Sequence, residues 1–155
     1  MQPPVAYMER TRRFYAAQGY EKPYSWAHHE SIPFTRPKKP LSQSTLALIT
    51  TAMPLTAAWQ VRQVHSGSSA ELPEALHTAE LAWDKDATHT NDLGSYFPLK
   101  ALHEFVADER LGALVERYHC VPTDYSQRHT LDIDAPKILM ACQEDEVDVA
   151  LLIPL

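Results

Sequence analysis

Apolar and polar positions follow a helical period at the start of the chain and then lose it. The stretch "VAYMERTRRFYAAQ", residues 5–18, repeats apolar residues at helical spacing, follows two prolines and precedes Gly19. This pattern predicts an amino-terminal helix within residues 1–19. Residues 20–43 are rich in proline and have no clear period. Because proline interrupts helices and sheets, we expect an extended segment there that wraps the domain and is anchored by its aromatic side chains.

Residues 44–155 alternate between apolar runs and amphipathic stretches. Apolar or alternating runs predict strands at 44–51, 59–66, 76–84, 114–121 and 147–155, of which 59–66 is either a second strand or an edge. Helical spacing predicts helices in "FPLKALHEFVADERLG", residues 97–112, and at 134–143. The alternation in the second half indicates βαβ units. We therefore expect an α/β fold in which a mainly parallel sheet has flanking helices in Rossmann-like layers, with residues 1–155 in a single domain.

Composition narrows the functional classes. Hydrophobic residues make up 45% of the chain, enough for a buried core, and the formal net charge of -6 argues against nonspecific nucleic-acid binding. The apolar runs are too short or too interrupted to cross a membrane, and no signal peptide is recognisable. We expect a cytoplasmic protein without nucleic-acid or membrane partners. Only four glycines occur, and no Walker loop, GxGxxG or GxSxG, which disfavours nucleotide chemistry.

The densest polar cluster is "AWDKDATHTND", which follows the predicted strand 76–84. Asp84, Asp86 and His89 could supply an acid and a base, or hold a divalent metal. The structural alternative is that Asp84, Asp86 and Asn91 cap turns and that Asp92 or Ser95 leads into the next helix. Because no spacing matches a strict metal signature, we assign no metal ligands.

A second polar cluster, "RYHCVPTDYSQRHT", follows the predicted strand 114–121. If that strand is extended, His119 and Cys120 point to opposite faces and cannot form a nucleophile and base pair. His119 is either a catalytic base or a hydrogen-bonded core residue. Tyr125 and Arg128 are candidates for holding an anionic substrate. The catalytic candidates are therefore His89, His119, Asp84 and Asp86.

The two cysteines show no metal-binding or redox spacing. Cys120 and Cys142 have no CxxC partner, which makes a disulfide or a zinc cage an unfavoured interpretation. We expect each to behave as a small buried apolar residue in a reducing compartment.

Several stretches together resemble a known family. The stretches "YMERTRRFYAAQGYEKPYSWAHHESIPFT", "ELAWDKDATHTND", "SYFPLKALHE", "VPTDYSQRHTL" and "VDVALLIPL" are similar to the selenoprotein B family of glycine, sarcosine and betaine reductases, in particular its short bacterial members. The resemblance runs over essentially the whole chain. It implies an oxidoreductase that cleaves a small substrate reductively, with a selenolate or thiolate as nucleophile and a thioredoxin-like protein as electron donor.

The resemblance also implies a redox motif after the last strand. In that family a strand like "ALLIPL" leads directly into a motif containing selenocysteine or cysteine. We therefore expect selenocysteine immediately after Leu155, encoded by an in-frame UGA codon, and no cofactor within the 155 residues themselves. Under this expectation the chain is an incomplete domain that lacks reductase activity, and it forms homo-oligomers through its exposed sheet.

Two other functions remain open from the sequence. The chain could be a non-enzymatic binding or dimerisation domain that uses the aromatic residues of 20–40. It could also be a metal-dependent hydrolase centred on Asp84, Asp86 and His89.

Overall fold

The computed structural model describes residues 6–23, 25–32, 34–57, 62–79, 86–124 and 126–155. The chain divides into two compact units, one comprising Met1–Phe34 and the other Thr35–Leu155. The sequence-based prediction of one domain stays a prediction.

The first unit contains the predicted amino-terminal helix, α1, which spans Tyr7–Ala17. Glu9 and Arg13 form an ion pair at 2.8 Å, at the spacing that makes them neighbours on the helix surface. Gly19 follows the helix with a φ of +85°, a conformation that glycine adopts at little cost. The described residues from Tyr20 to Phe34 form no helix or strand, in agreement with their proline content.

The described residues of the second unit form seven strands and three α-helices. The helices are α2 (Leu99–Ala107), α3 (Gln127–His129) and α4 (Ala135–Glu144). The strands are β1 (Thr45–Thr50), β2 (Met53–Pro54), β3 (His65–Ser68), β4 (Leu76–His77), β5 (Ala113–Leu114), β6 (Arg117–Cys120) and β7 (Val149–Ile153).

The main sheet is mostly parallel and is centred on β1. On one side β1 pairs in parallel with β5 and then with β6, and on the other side it pairs in parallel with β7. Only β3 is antiparallel, and it lies at the edge of the sheet beside β6. The predicted α/β class with a mainly parallel sheet is thus confirmed.

Three predicted strands differ from the structure. The predicted strand 114–121 is divided into β5 and β6. Within the predicted strand 59–66, residues 59–61 lie outside the described residues, and β3 begins only at His65 and runs antiparallel. Within the predicted strand 76–84, only β4 is found before the undescribed residues 80–85, and it pairs with β2 in a separate sheet. The exposed Ser66 and Ser68 explain the edge position of β3, because a central strand needs apolar side chains on both faces.

Apolar side chains cover both faces of β1. Leu46 and Leu48 belong to the larger core cluster, which also contains Leu99 and Leu102 of α2. Ile49 belongs to a smaller cluster with Ile138 of α4. Helices α2 and α4 therefore pack against opposite faces of the sheet, as the alternation of side chains along a strand requires.

The last helical region is longer than the sequence predicts. The structure continues from α3 through a π-helical turn, Thr130–Asp134, into α4, whereas the pattern indicates a helix only at 134–143. The earlier start is explained by Ser126, whose hydroxyl accepts a hydrogen bond from the His129 N–H at 3.3 Å. In the described ranges, no helix has the length and apolar character needed to cross a membrane.

Gly112 allows a close backbone approach beside β1. A Cβ atom at Gly112 would lie 2.7 Å from the Gln43 carbonyl carbon and 2.8 Å from backbone atoms of Ser44. The Gly112 N–H donates to the Leu41 carbonyl at 3.0 Å, which fixes this approach.

We predict that Gly112→Ala lowers the free energy of unfolding by about 1–3 kcal/mol, because the backbone of residues 43 and 44 must shift to admit the methyl group. The control is Gly94→Ala, whose Cβ would meet only the Asp92 carboxylate, a side-chain atom, at 3.3 Å. Urea unfolding followed by circular dichroism measures both variants. Equal stability losses in the two variants would contradict the prediction.

Candidate functional site

The carboxyl ends of β1, β6 and β7 meet at one edge of the sheet. The Val121 N–H, just after β6, donates to the Thr50 carbonyl at the end of β1 at 2.8 Å. The Leu155 N–H, just after β7, donates to the Thr51 hydroxyl at 2.8 Å. Ligands of α/β proteins bind at this edge of parallel sheets, so it is the first place to search for a site.

A charged cluster lies just beyond β6. The Arg62 guanidinium donates to both carboxylate oxygens of Asp134, with Nη1 3.2 Å from Oδ1. Its Nε donates to the Asp124 carboxylate. The Asp134 side chain is only 1% exposed, so Arg62 neutralises a carboxylate that is buried in the protein. Such a fork fixes the planes of both groups as well as their charges.

Asp124 connects this arginine to a histidine. The Asp124 carboxylate lies 2.7 Å from His129 Nδ1 and accepts the Ser126 N–H at 3.0 Å. Burial alone would raise the pKa of Asp124, but the hydrogen bonds from Arg62 and His129 outweigh it and lower the pKa to about 2. Asp124 is therefore a carboxylate at neutral pH, and it orients His129 with Nδ1–H as the donor.

His129 is the member of the cluster that is best suited to proton transfer. Its side chain is 36% exposed, and its Nδ1 is held by Asp124, which leaves Nε2 as the nitrogen for a ligand. A carboxylate that binds Nδ1–H in this way fixes the tautomer and the orientation of the imidazole. The π-helical turn directly follows His129 and ends at Asp134, so both ends of this wide turn belong to the cluster. Such turns occur often at functional sites.

His119 lies inside the sheet. The side chain is 1% exposed, and its Nδ1 is 2.9 Å from the hydroxyl of Ser66 on the neighbouring strand β3. Burial lowers the pKa of His119, which keeps the imidazole neutral at neutral pH. Cys120 belongs to the core cluster on the α2 side. The structure therefore agrees that His119 and Cys120 do not form a nucleophile and base pair.

The other residues predicted from sequence do not join the charged cluster in the described chain. Asp86 and His89 are exposed, and His89 Nδ1 accepts the Asn91 N–H at 3.4 Å. Arg128 is exposed and makes no ion pair with a described residue. Asp84 and Tyr125 lie outside the described residues. Among the residues that are described, no group of three or more His, Cys, Asp or Glu side chains could hold a metal ion.

The alternative role of the first polar cluster finds partial support. Asp92 begins the short helix Leu93–Ser95, and its carboxylate accepts the Gly94 N–H at 3.0 Å. The hydroxyls of Thr78 and Thr90 are 2.9 Å apart and join the two ends of the loop. These contacts are the turn-capping interactions that the sequence offers as the structural interpretation.

The sequence assigns no functional role to the central residues of the site. Arg62 falls in a predicted strand and Asp134 at the start of a predicted helix, and their separation of 72 residues hides the contact. Asp124 and His129 belong to the second polar cluster but carry no predicted role. The signal that could have identified them is local, because Asp124 and Ser126 have the spacing of a turn-capping pair ahead of a helix.

No family model, curated protein or solved structure matches this chain. The geometry of the site therefore has to be interpreted from its own residues.

We predict that Arg62→Met lowers the free energy of unfolding by about 3–5 kcal/mol, because Asp134 is then a buried carboxylate without its counter-charge. Adding Asp134→Asn should recover part of the loss. Arg128→Met is the matched control, since it removes an exposed arginine, and should change stability little. Chemical unfolding measures all variants. Similar losses for Arg62→Met and Arg128→Met would show that the buried ion pair does not support the fold.

We predict that Asp124→Asn makes the free energy of unfolding less dependent on pH in the acidic range. The pKa of Asp124 is lowered from 3.8 to about 2 by folding, so the carboxylate stabilises the fold above pH 3.8, and this contribution disappears as the pH falls through about 2. The variant should lose at most about 2 kcal/mol at neutral pH.

The difference between the wild type and Asp124→Asn should therefore shrink on acidification. Urea unfolding at several pH values measures it, with Asp132→Asn as control, because Asp132 is an exposed carboxylate of the same helical region. A difference that stays constant down to the lowest pH would contradict the assignment.

Proposed function

We propose that this protein is a selenol- or thiol-dependent oxidoreductase related to the selenoprotein B subunits of glycine, sarcosine and betaine reductases. The proposal begins from the sequence resemblance, in which a redox motif with selenocysteine or cysteine directly follows the strand that corresponds to β7. The reaction is a reductive cleavage of a small molecule. Two electrons come from the dithiol of a thioredoxin-like donor, which becomes a disulfide, while the substrate bond is broken and both fragments end protonated.

One structural observation supports the proposal. The carboxyl end of β7 is held at the same edge of the sheet as the Asp124–His129 pair, because the Thr51 hydroxyl binds the Leu155 N–H at 2.8 Å. A nucleophile that follows β7 would thus share this edge with a histidine. Chalcogenolate anions are the reactive forms, and a proton donor is needed for the group that leaves.

In this proposal each residue has a separate role in the reaction. His129, oriented by Asp124, donates a proton to the leaving group and later takes one from the incoming thiol. Arg62 keeps Asp124 ionised. The exposed Arg128, with Tyr125, holds an anionic part of the substrate. Asp84, Asp86 and His89 border the substrate, and His119 supports the edge from inside the sheet.

The proposal also covers the layering of the fold, the cellular location, the oligomeric state and the two cysteines. We propose that the helices on the two faces of the sheet make Rossmann-like layers, that the protein acts in the cytoplasm, and that it forms homo-oligomers. The two cysteines of the chain do not serve as the nucleophile, since burial raises the pKa of Cys120 to about 12 and also raises the pKa of Cys142.

The proposal predicts a labelled, longer product in the organism of origin. An antibody raised against the 155-residue chain would precipitate the natural protein from cells grown with selenium-75. We expect mass spectrometry to find a peptide that begins in β7 and continues through selenocysteine or cysteine. A natural peptide that ends at Leu155, or continues without either residue, would refute the proposed function.

Alkylation provides the chemical test on the same protein. A selenol is ionised in mild acid, where ordinary thiols are not, so the natural protein should react there with iodoacetamide at the residue after β7. The 155-residue chain is the control, because its Cys120 is buried and the pKa of that thiol is about 12. For a cysteine-containing protein, the same residue should react faster than Cys120 and Cys142 near neutral pH.

A further inference from the structure

The outer edge of β7 has backbone groups that are not paired in the described chain. The Leu46 and Thr50 carbonyls accept from Val115 and Val121 on the β5 and β6 side of β1, and the parallel register pairs Leu46 with Val149 and Thr50 with Ile153. In a parallel pair only one of two opposed residues directs its backbone groups to the other strand, and these directions alternate along the strand. Val149, Leu151 and Ile153 therefore bond to β1, whereas the N–H and C=O groups of Ala150 and Leu152 point away from it. No described strand pairs with them on that side.

The side chains along this edge are apolar and exposed. Leu152 is 65% exposed, and the nearby Leu139 and Met140 of α4 are 58% and 61% exposed. Between α4 and β7 lies an open groove of about 390 Å³, whose lining is almost wholly apolar and includes Ile138 and Leu152. Exposed apolar surface that is continuous with an unpaired strand edge marks a site of association.

No charged side chain within β7 blocks the pairing of this edge with another strand. Residues Val149–Ile153 contain no charged residue, proline or glycine, which are the usual means of blocking an exposed strand. The neighbouring Asp148 is directed into its own chain, where its carboxylate binds Lys39 at 2.9 Å and the Thr45 N–H at 3.0 Å. A second β7 strand would therefore meet no unpaired like charge at this position.

We propose that β7 pairs with β7 of a second copy of this chain, antiparallel and across a two-fold axis at Leu151. Two-fold symmetry requires the antiparallel direction, since each copy must present the same surface to the other. In this register Leu151 pairs with Leu151 of the partner subunit, and Val149 pairs with Ile153 of the partner subunit. Every outward N–H and C=O group of β7 is then satisfied.

The same register buries the exposed side chains. Ala150 lies opposite Leu152 of the partner subunit and exchanges both backbone hydrogen bonds with it, while the two Leu151 residues form the closer, non-hydrogen-bonded type of pair at the axis. The two sheets become one continuous sheet, and the apolar grooves beside the two α4 helices adjoin across the axis. This inference concerns the strand edge alone and does not rest on the proposed reductase function.

Sedimentation equilibrium of the 155-residue chain tests the proposal. We expect a monomer–dimer equilibrium, and we expect Leu152→Lys to raise the dissociation constant by about a hundredfold or more, because each copy loses a buried leucine at the interface. The control is Leu55→Lys, which introduces the same charge at a position that is 64% exposed and lies outside the main sheet, and should leave the dissociation constant unchanged.

Amide hydrogen exchange measured by NMR tests the register. The amides of Ala150 and Leu152 should become protected as the concentration rises, whereas those of Val149, Leu151 and Ile153 should be protected at all concentrations. The proposal is wrong if the chain stays monomeric at NMR concentrations, or if Leu55→Lys weakens the dimer as much as Leu152→Lys. It is also wrong if the Leu152 amide is protected in the monomer, since another segment of the same chain would then cover the edge.

Discussion

The backbone of β1 determines where every strand of the main sheet lies. Its residues alternate in direction, so that the Thr45 carbonyl accepts from Asp148 on one side and the Leu46 carbonyl accepts from Val115 on the other. Its side chains are almost wholly buried on both faces. Because water does not reach a strand in this environment, a lost hydrogen bond there would leave a buried polar group unsatisfied. Strand β1 therefore needs a hydrogen-bonded partner on each side, which β5 and β6 provide on one side and β7 on the other.

The same constraint creates the candidate site. Because β5, β6 and β7 all run parallel to β1, the chain must leave β6 and β7 at one edge. The chain that leaves β6 turns into a helix through Asp124 and Ser126, and this short turn brings Asp124 against His129. Arg62 then joins the turn to the buried Asp134, so the geometry of the site depends on an ion pair formed across 72 residues. The desolvation cost of burying this ion pair is offset only while both Arg62 and Asp134 are present.

The accuracy of the sequence analysis followed the range of the interactions. Strand β1 and helix α2 were predictable because their apolar periods reflect burial residue by residue. β3 was not, because its antiparallel direction depends on which strand it meets, and that partner, β6, lies about fifty residues further along the chain.

The candidate site shows the same division. The polar cluster after β6 was recognisable from local composition, and so was the separation of His119 from Cys120 on opposite faces. The pairing of Arg62 with Asp134 was not recognisable, since neither residue has a local pattern that names its partner. His119 also shows that a histidine in a polar stretch can be wholly buried: the Ser66 hydroxyl of the next strand binds Nδ1, while Nε2 is buried without a hydrogen-bond partner among the described residues.

The β3 edge and the β7 edge of the main sheet differ in the side chains that they expose to water. At the β3 edge the exposed side chains are the serines Ser66 and Ser68, and Gly67 leaves room for the ring of Tyr118 from β6, which fills the space a side chain would take. Such an edge offers little apolar surface to another strand. At the β7 edge the exposed side chains are Ala150 and Leu152, and the one adjacent charge is already bound by Lys39. Because an apolar, uncharged strand edge favours pairing with a further strand, the β7 edge suits the pairing with a second copy that we propose, and the β3 edge does not.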